Sequence, residues 1–319
     1  MDAWGRWCWG WGSGISVGMR REVRHVPVLL GEVLAALRPV AGKIIVDCTV
    51  GLGGHASELL RRVGPEGRVI GLDMDGANVE RARAKLGAVG GRWEIHQGNF
   101  AGLPTVLAAG GVERVDGVLA DLGVASPQID DAARGFSYRQ AGPLDMRIDS
   151  TRGQPASVLV NRMSQEELAE VLLELGDETD AQEIARLIVE RREKRAIETT
   201  QDLMAIVCEA RDFTLQRAAG AKLHPAARTF QALRMVVNRE LGNLQRLLDV
   251  LPGCLASGGV AAIISFHSGE DRLVKRAFRE GLEGGVYEEI TREPIVAGEE
   301  EREANPRSRS AKLRWGRRG

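Results

Sequence analysis

Two short segments of the chain carry residues that can bind a small molecule and act on it. The first runs from Asp47 to His55 as Asp-Cys-Thr-Val-Gly-Leu-Gly-Gly-His, and the second runs from Asp121 to Gln128 as Asp-Leu-Gly-Val-Ala-Ser-Pro-Gln. Glycines let a backbone approach a bound molecule closely, while the second segment combines a carboxylate with Ser-Pro-Gln. A glycine-rich cofactor loop followed by an acidic strand end indicates methyl transfer to an amino nitrogen.

The acidic residues near the glycine loop indicate which cofactor it binds. Asp73 follows Gly53 by twenty residues, a spacing at which a carboxylate can accept hydrogen bonds from ribose hydroxyls. A dinucleotide loop usually has the pattern GxGxxG, with its pyrophosphate at a helix N-terminus, whereas this loop has GxGG and follows Asp47. The Asp47 carboxylate would repel a pyrophosphate but suits the cationic amino-acid end of S-adenosylmethionine. A purely structural glycine turn is the alternative.

The second segment has the residue types expected beside a methyl acceptor. Methyl transfer is an in-line displacement, in which the enzyme mainly positions the reactants. The exocyclic amine of cytosine or adenine is a weak nucleophile because its lone pair is delocalised into the ring, and an acceptor for its N–H groups helps to expose that pair. Asp121 and Ser126-Pro127-Gln128 offer such groups, in a pattern that is similar to the Asp/Asn-Pro-Pro-aromatic motif of amino-methyltransferases.

The pattern of predicted strands and helices should place the two segments, 47–55 and 121–128, at one edge of a sheet. Apolar, β-branched stretches predict strands, and helical patterns lie between them. The predicted strands are 43–47, 68–73, 92–96, 115–121 and 260–266, and the predicted helices include 55–63, 76–86 and 271–279. This alternation predicts a parallel α/β sheet covered on both faces, with ligands at the carboxyl ends of its strands. Segments 286–295 and 311–315 predict an antiparallel pair at the sheet edge.

The alternation stops in the middle of the chain. From 154 to 212 only helical patterns occur, with three short apolar stripes. We therefore expect a small helical domain inserted into the α/β unit. The apolar spacing from Phe230 to Leu251 then predicts one long helix before the sheet resumes.

Composition sets further limits. The chain has 319 residues, 44% of them hydrophobic, and a net charge of −1, which is ordinary for a globular protein. Its four cysteines contain no CxxC pair and its five histidines lack metal-ligand spacing, so we expect reduced thiols and no metal. No apolar run is long enough for a membrane span. These features predict a cytoplasmic protein that does not contact a membrane.

Both ends of the chain are unusual. Residues 1–22 contain four tryptophans among glycines, and we expect a disordered extension or a misplaced start, with Met19 as the initiator. After the acidic stretch 299–303, the last fifteen residues contain six basic residues and no acid. A solvated tail is one interpretation. The other is that Arg307, Arg309, Lys312 and Arg314 contact nucleic-acid phosphates.

Around these residues the chain strongly resembles the bacterial small-subunit ribosomal RNA cytosine-N4-methyltransferase family, RsmH (formerly MraW). The matching segments keep the same order over all but the first two dozen residues. They are 25–30, 47–55, 121–130, 134–138, 142–149, 224–234, 264–268, 270–272 and 305–314. Two positions depart from the family pattern: Ala125 stands where serine is usual, and Gly269 stands where leucine is usual.

The resemblance implies a class I, Rossmann-like methyltransferase domain formed by 23–136 and 223–319. An inserted all-helical domain at 137–222 would recognise the RNA. The implied reaction transfers a methyl group from S-adenosylmethionine to N4 of a cytidine in the decoding region (P site) of 16S rRNA, within the 30S subunit. The cofactor contacts carried over by motif are Gly53, Gly54, His55, Asp73, Phe100, Asp121 and Gln128.

Some polar residues in the matching segments lack an obvious structural reason. We hypothesise that Asp145 and His267 are catalytic residues that hold the target cytosine, with Phe136 or Tyr138 stacking on it. Structural hydrogen bonds or helix caps are the alternative roles for Asp145 and His267.

Two other functions stay open at this point. One is a DNA or protein amino-methyltransferase built on the same sheet, and the other is an RNA-binding or ribosome-assembly module that has the fold without the activity. The sequence also leaves open whether the protein is a homodimer and whether naked RNA suffices as substrate.

Overall fold

The computed structural model describes residues 26–214 and 224–319. The predictions made for the tryptophan-rich start, for Met19 and for His25 lie outside these residues.

The centre of the fold is a seven-stranded sheet with the strand order β3-β2-β1-β4-β5-β7-β6. The strands are β1 (Ile44–Asp47), β2 (Arg68–Asp73), β3 (Trp93–Gln97), β4 (Val115–Asp121), β5 (Leu255–Ser265), β6 (Tyr287–Ile290) and β7 (Lys312–Arg318). Strands β1 to β5 are parallel, and β7 runs antiparallel to both β5 and β6. This is the class I methyltransferase topology that the resemblance implied, and the predicted antiparallel edge pair is confirmed.

Helices cover both faces of the sheet. They are α1 (Leu30–Leu37), α2 (Gly54–Val63), α3 (Gly76–Val89), α4 (Leu103–Ala109), α5 (Ser126–Asp130), α6 (Ala156–Arg162), α7 (Gln165–Gly176), α8 (Ala181–Lys194), α9 (Thr200–Ala210), α10 (Ala227–Val237), α11 (Glu240–Cys254), α12 (Ser268–Glu283) and α13 (Glu299–Ala304). Successive strand residues point to opposite faces: Ile45 packs into a core with α1, α2 and α3, and Val46 packs into a core with α4, α11 and α12. None of the helices in the described part of the chain combines the length and apolar character needed to traverse a lipid bilayer.

A third core joins the helices of the middle segment. Apolar residues of α6, α7, α8 and α9 pack together, and Phe230 and Leu233 of α10 contribute to the same core. Helix α10 was assigned to the sheet domain from the sequence, yet these two residues face the helical unit. The division of the chain at 137 and 222 stays a prediction.

The single long helix expected from Phe230 to Leu251 is wrong. The chain forms two helices, α10 and α11, separated at Asn238 and at Arg239, which has a left-handed φ of 50°. The Asn238 carboxamide turns away and bonds to the backbone of Met146 and Ile148. Both helices bury apolar faces, so the apolar spacing continues across a break that periodicity cannot reveal.

Candidate cofactor and acceptor site

Three carboxylates meet at one edge of the sheet because of the strand register. Asp47 pairs with Gly71 of β2 and Leu119 of β4, so Asp73 and Asp121 each end their strand two residues further on. These ends surround a cavity that we call the cofactor cavity. Its lining includes six of the seven residues assigned to the cofactor by motif, which are Gly54, His55, Asp73, Phe100, Asp121 and Gln128.

The glycines of the loop after β1 are needed for its shape. Gly51 and Gly53 have φ angles of 50° and 74°, a region that side chains rarely tolerate. A Cβ atom on Gly54 would lie 2.7 Å from Cγ of Pro27, which also lines the cavity. Gly53, the seventh assigned residue, packs against α3 behind the lining, where a Cβ atom would lie 3.0 Å from Leu86.

Asp47 is buried at the start of this loop and forms a hydrogen bond with its backbone. Its side chain is 1% exposed and accepts a hydrogen bond from the backbone N–H of Thr49 at 3.1 Å. Burial, with repulsion from Asp73, raises the pKa of Asp47 to about 7. Asp47 is not part of the cavity lining, so it does not contact a molecule bound in this cavity.

The two carboxylates in the lining also have raised pKa values. Burial raises the pKa of Asp73 to about 6, with a contribution from Asp75. Burial raises the pKa of Asp121 to about 7, although the positive charge of Arg307 acts in the opposite direction. All three carboxylates are therefore harder to ionise than usual. A positively charged ligand nearby would stabilise their ionised forms.

Two acceptor atoms in the cavity wall are unsatisfied. Within residues 26–214 and 224–319, Oδ1 of Asp121 and Oδ1 of Asn78 are buried without a hydrogen-bond partner. Leaving a buried polar atom unpaired costs about 1–3 kcal/mol, so a ligand with N–H or O–H donors would relieve both atoms. Sequence reasoning missed Asn78, whose only signal was its place in the first turn of α3, three residues after Asp75.

Gln128 closes the segment after β4, residues 122–128, which we call the acceptor loop. Its side-chain Oε1 accepts a hydrogen bond from the backbone N–H of Ala125 at 2.8 Å, and its Nε2 donates to Oδ2 of Asp75 at 2.8 Å. Ala125 caps α5 without a side-chain hydrogen bond. The Gln128 carboxamide therefore holds the turn in which this chain has alanine at the position of the usual serine.

Arg307 reaches the site from the far end of the chain. It lies in the short 3₁₀ turn Pro306–Ser310 and lines the cofactor cavity. Its guanidinium donates to the carbonyl oxygen of Val124 at 2.7 Å and to Oγ of Ser126 at 3.1 Å. The sequence left open whether Arg307 belongs to a solvated tail or contacts nucleic-acid phosphates. The structure shows it bonded to the acceptor loop, and contact with RNA stays a prediction.

Contact with phosphates, one of the two interpretations of the basic carboxyl end, is wrong for Arg314. This residue is 4% exposed, and its Nε lies 2.7 Å from Oδ1 of Asp271. Strand β7 lies between β5 and β6, and the Arg314 side chain faces α12 instead of solvent. Arg309, in contrast, is exposed.

The two residues predicted to be catalytic lie outside the cofactor cavity. Asp145 forms an ion pair with Arg147 at 2.7 Å. His267 caps α12, with its Nδ1 accepting a hydrogen bond from the N–H of Glu270 at 3.4 Å. Neither side chain belongs to the cavity lining, so contact with a substrate base stays a prediction for both.

The proposed stacking residues also lie elsewhere. Phe136 and Tyr138 line a separate cavity beside Phe230. The Tyr138 ring already stacks on His224, with the ring centroids 4.3 Å apart. The structure therefore does not bring these aromatic rings to the cofactor cavity, and their stacking on a base stays a prediction.

A second recess, which we call the adjoining recess, lies beside the cofactor cavity and shares Phe100, Leu122 and Ile148 with it. Glu240 and Glu270 also line the recess, and together with His267 they place potential metal-ligand atoms within 4.8 Å of one another. Arg234 already forms a two-pronged ion pair with Glu240 at 2.8 and 2.9 Å. The protein's own cation thus neutralises part of this cluster.

Known proteins are similar to this sequence over nearly its whole length. A protein from Sorangium cellulosum named Ribosomal RNA small subunit methyltransferase H is 48% identical over 298 residues, covering 93% of this chain and 92% of its own length. A protein of the same name from Deinococcus radiodurans is 47% identical, covering 92% of this chain and 89% of its own. A solved structure described as a putative rRNA-methylase from Clostridium thermocellum covers 92% of this chain and 99% of its own, at 12% identity and a TM-score of 0.45.

The family model described as the MraW methylase family matches residues 22–318. With this match and relatives of such identity and coverage, the chain belongs to the MraW methylase family.

Proposed function

We propose that this protein transfers a methyl group from S-adenosylmethionine to the exocyclic N4 of a cytidine in the decoding region (P site) of 16S rRNA. The observation that carries the proposal is the cofactor cavity, in which carboxylates with raised pKa values and unsatisfied acceptor atoms favour a cationic ligand. Membership of a methylase family and the names of the relatives support the same reaction.

The residues present fit S-adenosylmethionine. Asp73 would accept hydrogen bonds from the ribose hydroxyls, and the loop from Gly51 to Gly54 would lie against the amino-acid end. Phe100 would pack near the adenine. Asn78 would accept a donor through its unsatisfied Oδ1. When bound, this cofactor supplies an electrophilic methyl group on a sulfonium.

The acceptor loop would orient the amine. The Asp121 carboxylate lines the cavity with its side chain 22% exposed and would bind an N–H of the cytosine amine, which exposes the nitrogen lone pair. The Asp121 carboxylate would then take the proton that the methylated nitrogen loses, a role that suits a raised pKa. Arg307 would keep the carbonyl of Val124 and the hydroxyl of Ser126 in place during this step.

The RNA substrate is proposed from the relatives, whose printed name specifies small-subunit ribosomal RNA. A base must leave its stack to reach a cavity at a sheet edge, so an unpaired cytidine is the expected target. An assembled 30S subunit would hold that nucleotide in a fixed conformation, and the reaction would take place in the cytoplasm.

Nucleoside mass spectrometry of 16S rRNA tests the proposal. RNA from a strain that lacks this gene should contain no N4-methylated cytidine at the target position. The wild-type gene should restore the modification, and the Asp121→Asn variant should not. An unchanged nucleoside profile in the deletion strain would refute the proposed substrate.

A second assay separates the alternatives. Purified protein with methyl-labelled S-adenosylmethionine should label 30S subunits from the deletion strain. Label that entered DNA or protein instead would favour another amino-methyltransferase. Binding of subunits without cofactor uptake would favour an assembly factor.

A further inference from the structure

We infer that Asp75 is a positioning residue that links the cofactor-binding turn to the acceptor loop and to the segment 145–148. This inference rests on the proposed function, because it concerns how the two halves of that site are held in register. Asp75 follows β2 and is 5% exposed. Its backbone N–H donates to Oδ1 of Asp73 at 2.8 Å, which ties it to the proposed ribose-binding carboxylate.

The two carboxylate oxygens of Asp75 accept hydrogen bonds from different parts of the protein. Oδ1 accepts a hydrogen bond from the N–H of Ala77 at 2.9 Å and caps helix α3. Oδ2 accepts from Nε2 of Gln128 at 2.8 Å and from Nη1 of Arg134 at 2.9 Å. A helix cap needs only the first oxygen, so the contacts of the second oxygen serve another purpose.

Through Gln128, Asp75 controls the acceptor loop. The Gln128 Oε1 accepts from the N–H of Ala125 at 2.8 Å. A continuous series of hydrogen bonds therefore runs from Asp73 through Asp75 and Gln128 to Ala125. The loop that would present the amine is thus fixed relative to the carboxylate that would hold the ribose.

Asp75 is also connected, through Arg134, to residues 145–148, a segment that we call the strap. Nη2 of Arg134 donates to the carbonyl oxygens of Arg147 at 3.1 Å and Ile148 at 2.7 Å. Ile148 lines both the cofactor cavity and the adjoining recess. Asn238 holds the strap from the other side by accepting from the N–H of Ile148 at 2.8 Å.

The charge of Asp75 is compatible with this role. Burial alone would raise its pKa, but hydrogen bonds from Gln128 and Ala77 and the positive charge of Arg134 hold the pKa below the usual value. Asp75 is therefore ionised at neutral pH and can receive three donors at once. A neutral carboxamide at this position could still cap α3, but its NH₂ group would face the donors of Gln128 and Arg134.

Asp75→Asn, Arg134→Met and the double variant test the link. On 30S subunits, we expect each single variant to lower kcat by about tenfold to a hundredfold, because displacement of a reacting group by about 1 Å has effects of this size. The KM for S-adenosylmethionine should change by less than about threefold. Since Asp75→Asn already disrupts the contact with Arg134 as well as the contact with Gln128, the double variant should be no slower than Asp75→Asn alone.

Asp131→Asn is the matched control. Asp131 is exposed and accepts a hydrogen bond from the backbone N–H of Ala133, a cap like that of Asp75 without the second set of contacts. Its kcat should equal that of the wild type. Multiplicative losses in the double variant, or a change in KM alone, would overturn the inference while leaving the proposed function intact.

Hydrogen exchange gives a readout that needs no methyl transfer. In ligand-free Asp75→Asn, the amides of Ala125 and Ile148 should exchange faster than in the wild type, and the amide of Val118 inside β4 should not change. Exchange rates at Ala125 and Ile148 equal to those of the wild type would refute the link. An inactive wild-type protein would refute the proposed function instead.

Discussion

Nδ1 of His55 lies 3.8 Å from Oδ2 of Asp121, although the two residues are 66 positions apart in the sequence. Nε2 of His55 lies 2.9 Å from the carbonyl oxygen of Val28, which assigns the ring proton to Nε2 and directs Nδ1 toward the carboxylate. The imidazole therefore lies beside the Asp121 carboxyl group. The Asp121 side chain lines the cavity, and its buried Oδ1 has no hydrogen-bond partner.

Asp121→Asn should abolish most methyl transfer. The carboxamide keeps the size of the side chain but cannot accept a proton, and loss of a proton acceptor or of one electrostatic contact lowers kcat by about 10²- to 10³-fold. Single-turnover methyl transfer to 30S subunits measures this effect. Asp116→Asn is the control, because Asp116 lies near the other end of β4 and pairs with Lys43. Equal rates for wild type and Asp121→Asn would exclude the proposed role of Asp121.

Binding of S-adenosylmethionine should release protons near pH 6. The pKa values of Asp73 and Asp121 are raised to about 6 and about 7, so both carboxyls are partly protonated there, and a cation favours their ionised forms. Affinity should consequently rise between pH 5.5 and pH 8. Calorimetry in two buffers of different ionisation enthalpy measures the released protons. An affinity that is constant over this range would contradict a cationic ligand at these carboxylates.

Asp47→Asn should flatten the pH dependence of stability. A carboxyl with a pKa of about 7 in the folded protein and about 3.9 in the unfolded chain binds more protons when folded. Its contribution therefore lowers the free energy of unfolding as pH rises from about 4 to 7. The asparagine variant lacks this contribution, so its melting temperature should fall less than that of the wild type over this range. Parallel melting curves for the two proteins would rule out a raised pKa at Asp47.

Gly54→Ala should weaken cofactor binding. The new methyl group would lie 2.7 Å from Pro27, whose ring lines the cavity and would have to shift. We expect the Kd for S-adenosylmethionine to rise by about tenfold or more, which corresponds to about 1.4 kcal/mol. Gly31→Ala is the matched control, because it also lies in the first turn of a helix but has nothing within 4 Å of an added Cβ. Similar Kd values for the two variants would show that the Pro27 contact is unimportant.

Arg309 and Arg314 should respond differently to substitution. Arg309→Ala should weaken 30S binding and reduce the salt-dependence slope by about one if Arg309 contacts a phosphate. Arg314→Met should instead destabilise the fold, by about 1–3 kcal/mol, because it removes the buried partner of Asp271, which keeps only its contact with Lys312. Binding titrations at several salt concentrations and denaturant unfolding measure the two effects. A reduced salt slope for a folded Arg314→Met variant would show that this residue faces RNA.

Local sequence was sufficient to predict the strands and the loop on which the site is built. Strands β2 and β4 have their predicted bounds, Arg68–Asp73 and Val115–Asp121, because β-branched stretches bounded by polar residues specify buried strands. The glycine loop and Asp73 were recognisable for the same local reason, since positive φ angles and a carboxylate at a strand end leave a signature within a few residues. The motif match also identified six residues that line the cavity.

The tertiary structure decided which distant residues complete the site. Arg307 contacts Ser126 across 181 positions, and the break at Arg239 aligns Asn238 with the strap. Packing likewise keeps Asp145 and His267 out of the cavity lining, although both lie in motif segments. Periodicity and spacing report the neighbours of a residue along its own helix or strand, whereas contacts between elements depend on how whole faces pack. The sequence by itself therefore determined the sheet and the cofactor loop, and only the fold determined how Asp75, Arg134 and Arg307 hold the acceptor loop against them.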